Sequence, residues 1–204
     1  MNQAKASFID LVNNNHITAS VYDYLAHNHI PLDYSDLLRW QWILTVAALD
    51  KYIHDIVLIG MLETFAGKRE ATAKYKNFSM TLDTMLSIQN SETPIIEFEK
   101  VVVHKHSYLS FQDPEKIADA LSHFWSESNK WDIICSNMNN DLSVSEVKTK
   151  LKNIVIRRNQ IAHEGDCMSN SPLLRQDIKR ADVENVIAFI KEVVEAIDRS
   201  IDKV

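Results

Sequence analysis

The amino-acid sequence predicts an all-α protein, a helical bundle with one long central helix and peripheral short helices. Three observations predict it. Only three glycines (Gly60, Gly67 and Gly165) and four prolines punctuate 204 residues, too little turn chemistry for a sheet of tight hairpins. A proline-free stretch from Ser35 to Gly67 is long and largely apolar. Elsewhere apolar side chains recur at alternating spacings of three and four, the period of one helical face, and no strand alternation is long enough to force a sheet.

Residues 3–28 read as one broken helix or two short ones that bury Phe8, Leu11, Val12, Val21 and Leu25, with a turn over Asn13–His16. Pro31 closes this N-terminal helical extension (1–33), because the residue before a proline is driven out of helical geometry. In the central helix, Trp40–Leu49 is apolar around most of its circumference, as packing on several sides requires. Asp50 and His54 share a face at i, i+4. Without a third ligand they read as a hydrogen-bonded pair rather than a metal site.

After Gly67 comes an exposed basic stretch, KREATAKYKN. Short helices follow at Met80–Ile88, Pro94–His106 and Pro114–Phe124. Thr93 and Asp113 are set as caps before a proline at the first helical position. His104 and His106 point to roughly opposite sides of their helix, which argues against joint metal binding. Trp125 and Trp131 pack the edge of the core, each with an N–H that needs a partner. A polar loop at Asn137–Asp141 leads into a helix running from Val144 towards Asp166. A second polar loop passes through Ser169, Asn170, Ser171 and Pro172. The last element, Asp182 to about Asp202, aligns Val183, Val186, Ile187, Ile190, Val194, Ile197 and Ile201 on one stripe and packs beside the preceding helix.

Composition excludes several classes. A hydrophobic fraction of 46% is that of a folded globular chain. The net charge of −6 makes any nucleic-acid contact a matter of a local basic surface. Cys135 and Cys167 form neither a disulfide framework nor a metal-ligand pair. The first residues lack the pattern of a signal peptide, and no apolar run approaches the ~20 residues of a membrane span. The expectation is a cytoplasmic protein that does not engage membranes.

The chemistry concentrates on the helix from Val144. Ser143 is its N-cap, Glu146 completes a capping box, and Gly165 is placed to end it in the left-handed conformation. Val144, Val147, Leu151, Ile154 and Ile161 form one apolar face, and Arg158 falls near the middle of that arc. A guanidinium cannot neutralise itself, so it must meet an anion, a polar cleft or a partner subunit. Lys148, Lys152, Asn159 and His163 gather within about 60° on a neighbouring face. From Val147 to His163 there are five Lys or Arg and no acid. No G-x-S-x-G is present and neither Cys adjoins a His, so nucleophile–base catalysis has no support. An arginine, an asparagine and a histidine suit phosphate chemistry on RNA, whose 2′-hydroxyl is an internal nucleophile. The histidine moves a proton near neutrality, the arginine holds the charge that builds on phosphate, and the asparagine orients either.

The run Arg158-Asn159-Gln160-Ile161-Ala162-His163 resembles the R-N-x-x-x-H motif of the HEPN superfamily. The aliphatic residues before it and the glycine after it also resemble that family, the specific match covering residues 154–165. The resemblance implies a HEPN-like bundle over the whole of 1–204. Residues 143–202 would supply the motif helix and C-terminal helix, and 68–140 a family-specific insertion. It also implies a homodimer in which two motif helices meet in a composite cleft. Arg158 and His163 would be the catalytic pair, Asn159 their support, and Lys148, Lys152 and Arg157 the RNA-binding residues. The activity implied is metal-independent endoribonuclease cleavage, without cofactor, in a toxin or antiviral-defence system with an antitoxin or other partner protein. The alternative is a non-catalytic module that binds RNA or nucleotide, or dimerises within a larger complex. A toxin subgroup carries, two residues after the histidine, a tyrosine that its antitoxin modifies. Gly165 stands there in this chain, so that mode of neutralisation is not expected.

Overall fold

The computed structural model describes residues 1–168 and 171–201, and among them the architecture is all-α apart from one small ribbon. The helices are α1 (Asn2–Asn14), α2 (His16–His27), α3 (Asp36–Phe65), α4 (Ala73–Lys76), α5 (Leu82–Gln89) and α6 (Pro94–His106). They continue with α7 (Pro114–Leu121), α8 (Lys130–Ser136), α9 (Val144–Glu164) and α10 (Arg180–Ile201). Between α9 and α10, β1 (Cys167–Met168) pairs antiparallel with β2 (Ser171–Arg175).

The 30-residue α3 is the axis of the bundle. It buries Leu38, Trp42, Val46, Leu49, Ile53, Ile56, Val57 and Met61, and α1, α2, α6, α7, α9 and α10 all pack against it. A helix covered on several sides has no single apolar stripe, which is how Trp40–Leu49 reads. One strip still faces outward, with Trp40 54% exposed. Gly60 is required by packing: a Cβ there would overlap the Phe124 ring. α10 is amphipathic and buries Val183, Val186, Ile190, Val194, Ile197 and Ile201, while the predicted end at Asp202 lies outside the described residues.

Several expectations change in detail. The N-terminal break falls at Asn15, between α1 and α2. Phe8 and Val12 are buried, but Leu11 and Val21 are 41% and 43% exposed, because α1 and α2 lie on the outside of α3 and cover it with one face only. Asp113 caps α7 by accepting a 2.9 Å hydrogen bond from Glu115 N. Thr93 makes no side-chain cap on α6, since its backbone (φ −129°, ψ 64°) is not in the extended form of a capping residue. Trp125 and Trp131 belong to the core rather than its edge. The Trp131 indole donates to Pro114 O at 2.9 Å, whereas the Trp125 indole nitrogen is buried without a hydrogen-bond partner among the described residues.

The loop expected after Gly165 instead forms the ribbon, in register Cys167–Arg175 and Met168–Ser171; Ser169 and Asn170 lie outside the described residues. Polar side chains alone do not decide between loop and ribbon. Backbone pairing does, helped here by side-chain ties from Arg175 described below.

The segment 68–140 folds onto the bundle: α6 and α7 pack on α3, and α8 on α9 and α10. The basic stretch after Gly67 is partly tied down. Arg69 pairs with Glu63, Lys74 with Asp119, and Thr72 caps α4 by accepting from Tyr75 N. No helix among the described residues is long and apolar enough to cross a membrane.

Candidate functional site

The motif helix forms for local reasons visible at both ends. Ser143 Oγ accepts from Glu146 N at 3.3 Å, and the Glu146 carboxylate accepts from Ser143 N at 2.8 Å. The carboxylate also accepts from Ser143 Oγ at 2.6 Å, and that bond, with the one from Ser143 N, holds the Glu146 carboxyl below its ordinary value. At the far end Gly165 adopts φ +65°, ψ 20°, the left-handed form that costs a residue without Cβ little. Val147, Leu151, Ile154 and Ile161 are buried, and α9 packs against α3, α7 and α8.

The opposite face of α9 carries Lys152, Ile156, Asn159 and His163, all exposed and aligned by spacings of three and four. An isoleucine 46% exposed in the middle of that polar strip was not singled out from sequence, although its position is readable on the helical wheel. Lys148 is partly buried and pairs with Glu115 of α7 at 2.7 Å.

The two adjacent arginines have opposite surroundings. Arg157 Nη2 lies 3.3 Å from the Asp166 carboxylate and donates to Asp177 O at 2.7 Å. Its guanidinium covers the Trp42 ring at 5.1 Å, and Trp42 in turn donates to Ile154 O at 3.0 Å. Arg158 is half-buried on the arc between Ile154 and Ile161, as its register requires. Among the described residues no carboxylate lies within ion-pair distance of it. Its Nη1 donates to Asn159 Oδ1 at 2.8 Å; its Nε, like that of Arg157, is buried without a hydrogen-bond partner among the described residues, so the two differ in what their terminal nitrogens meet. The structure therefore brings Arg158 and Asn159 together. Among the described residues no hydrogen bond joins His163 to either, in keeping with about 7.5 Å of rise over five residues and differing faces.

Asp166 is the node behind the motif. It is fully buried, has φ +60°, and accepts from Arg39 Nε at 2.8 Å as well as from Arg157. Arg39, itself 4% exposed on α3, also donates to Ser35 Oγ at 2.6 Å and to Gln176 O at 2.7 Å. Gln176 N donates to Asp166 O at 2.8 Å, and Asp166 N to Gln160 O at 3.1 Å. Arg175 donates to Gly165 O at 2.9 Å and pairs with Asp36 at 2.5 Å, which holds the Asp36 carboxyl below its ordinary value. Neither Arg39 nor Asp166 was found from sequence: Arg39 looks like one charged residue at a helix start, and Asp166 like part of a turn.

Beside the motif helix runs a cleft of about 550 Å³, lined by Thr149, Lys150, Asn153 and Arg157 with Trp42 and Ile154 in its floor. Ser145 and Glu146 also line it, so it mixes two cations, a carboxylate, two hydroxyls and an amide over apolar atoms, groups that suit base edges and sugar hydroxyls. Elsewhere, Asp50 accepts from Phe111 N at 2.6 Å and lies 4.0 Å from His54, whose ring packs at a tilt against Phe111. His106 is buried against Phe78, Phe111 and His123, while its neighbour His104 is exposed. Burial pushes both His106 and His123 down to about 4. Among the described residues no three His, Cys, Asp or Glu side chains converge as metal ligands would.

A family model described as RiboL-PSP-HEPN matches residues 6–203. No curated protein and no solved structure matches the chain.

Proposed function

The chain belongs to the RiboL-PSP-HEPN family, and from that membership we propose that it is a metal-independent endoribonuclease with a toxin or antiviral-defence role. The single observation that carries this reading is the state of Arg158: a half-buried guanidinium with no carboxylate partner among the described residues, bonded to Asn159, on the helix that ends with an exposed His163. A phosphodiester supplies the anion that side chain lacks. In this reading His163 takes the proton of the 2′-hydroxyl or returns one to the leaving oxygen. Arg158 binds the phosphate as charge grows on it, and Asn159 holds the guanidinium in place.

Because the two motif side chains diverge within one chain, the reading places the reaction in a homodimer. Two α9 helices related by a two-fold axis bring both pairs to one cleft. The exposed Ile156 in the motif strip supports a covered surface there. Lys148 and Lys152 form the RNA approach, and Arg157, expected there from sequence, is instead held by Asp166; residues 68–140 are an accessory segment for substrate or a regulatory partner such as an antitoxin. The test is incubation of purified protein with several RNAs in EDTA, beside Arg158→Ala and His163→Ala. Cleavage by the wild type alone is expected; equal cleavage by all three overturns the assignment.

A second reading, a non-catalytic module that binds RNA or nucleotide or dimerises within a larger complex, is favoured by the net charge of −6 and by the pairing of Lys148 with Glu115. It predicts RNA binding or dimerisation with no turnover in any of the three proteins.

A further inference from the structure

We infer that Asp166 is a positioning residue for the motif, taking Arg157 out of the tandem arginines so that Arg158 alone remains for phosphate, and fixing the last turn of α9 on α3. The inference rests on the ribonuclease reading above and assigns a role within the same site.

Adjacent guanidinia compete for any anion that enters. Here the competition is settled by a carboxylate built into the protein. Asp166 Oδ2 lies 2.8 Å from Arg39 Nε and 3.3 Å from Arg157 Nη2, with no exposure to solvent. The residue is held at φ +60°, a region a non-glycine residue occupies only when its surroundings over-determine it. Those surroundings are specific. Its own N–H reaches back to Gln160 O within α9, its carbonyl accepts from Gln176 N after the ribbon, and its side chain reaches α3 through Arg39. Three elements meet at one residue placed three positions after His163. A buried carboxylate between two cations is weak evidence for stability as such. What it does here is dictate which arginine is neutralised.

The test separates binding from turnover. A uniformly 2′-O-methylated RNA oligonucleotide, which lacks the attacking hydroxyl, serves as the binding probe, and the unmodified oligonucleotide as substrate. In Asp166→Asn the anion is gone and Arg157 is released. The probe should then bind at least as tightly as to wild type, with a salt dependence steeper by about one phosphate contact. The kcat on unmodified RNA should fall, by up to about 100-fold for a misplaced motif, without a rise in KM. A merely structural role predicts the opposite pattern: affinity and kcat falling together with the folded fraction, measured by circular dichroism, and that result overturns the inference. If Asp166→Asn does not fold, Arg39→Gln should reproduce the loss of kcat and Arg39→Lys should recover part of it. Equal, wild-type kcat in both overturns it as well. If the wild type itself cleaves no RNA, the ribonuclease reading falls separately, and unchanged probe affinity and salt dependence in Asp166→Asn then overturns the positioning role.

Discussion

Arg39 and Asp166 stand 127 residues apart in sequence and meet at 2.8 Å in an ion pair closed to solvent. The contact ties the first turns of the central helix to the residue just past the motif helix. Removing one partner of a buried pair leaves the other desolvated and under-compensated, at a cost of roughly 3 kcal/mol or more. Arg39→Met should therefore lower unfolding free energy by about that amount in urea denaturation. A change below about 1 kcal/mol would mean that the pair is not closed in solution.

Arg157 and Arg158 should respond oppositely to truncation. Arg157→Ala removes the contact to Asp166, the bond to Asp177 O and the cover over Trp42, together about 1–3 kcal/mol of stability. Arg158→Ala removes a cation with no carboxylate partner among the described residues and should change stability by no more than about 0.5 kcal/mol. Turnover should show the reverse ranking, with Arg158→Ala losing on the order of 100-fold or more. Melting curves and rates on the same preparations check both halves.

Acid should weaken the fold through His106 and His123. Both are buried together between Phe78 and Phe111, near His54, Lys74 and Asp119, and burial holds both at about 4 in the folded state. An unfolded histidine titrates near 6.5, so the unfolded chain binds more protons between those values. The neutral imidazoles contribute fully above about pH 6.5, and stability is lost as pH falls from there to about 4. Urea midpoints at pH 7.5, 6 and 5 should decrease in that order, and His106→Phe should flatten the decrease.

Ile156 offers a direct probe of assembly. It is exposed on the strip shared with Lys152, Asn159 and His163, so Ile156→Asp leaves the core of the protomer untouched. Sedimentation of the wild type should give about twice the chain mass of 23.5 kDa, and Ile156→Asp should shift the population to the monomer with an unchanged melting curve. A wild type that sediments as a monomer at micromolar concentration contradicts the composite site.

What the sequence discloses divides along a physical line. Helices with strong local signals are legible, such as α9 with Ser143, Glu146 and Gly165, or α10 with its isoleucine and valine stripe. So is the register of Arg158 on the apolar arc, because a helical wheel needs only local spacing. The partners of Arg157 are not legible, because Asp166 and Trp42 come from a turn and from another helix, and only the folded chain brings them together. The ribbon after Cys167 was hidden for the same reason: its pairing and its ties through Arg175 to Gly165 and Asp36 are tertiary. Thr93 shows the converse limit. A capping residue type before a proline states a preference, and the backbone of the preceding turn decides whether the side chain is used.

The measurement that reaches the central claim most directly is the chemistry of the RNA ends left after incubation in EDTA. Attack by the 2′-hydroxyl, with His163 handling the proton and Arg158 the phosphate, predicts fragments ending in a 2′,3′-cyclic phosphate, and no cleavage of an oligonucleotide carrying 2′-deoxy at the scissile position. Fragments ending in a 3′-hydroxyl, or cleavage of the deoxy-substituted oligonucleotide at the wild-type rate, would contradict it.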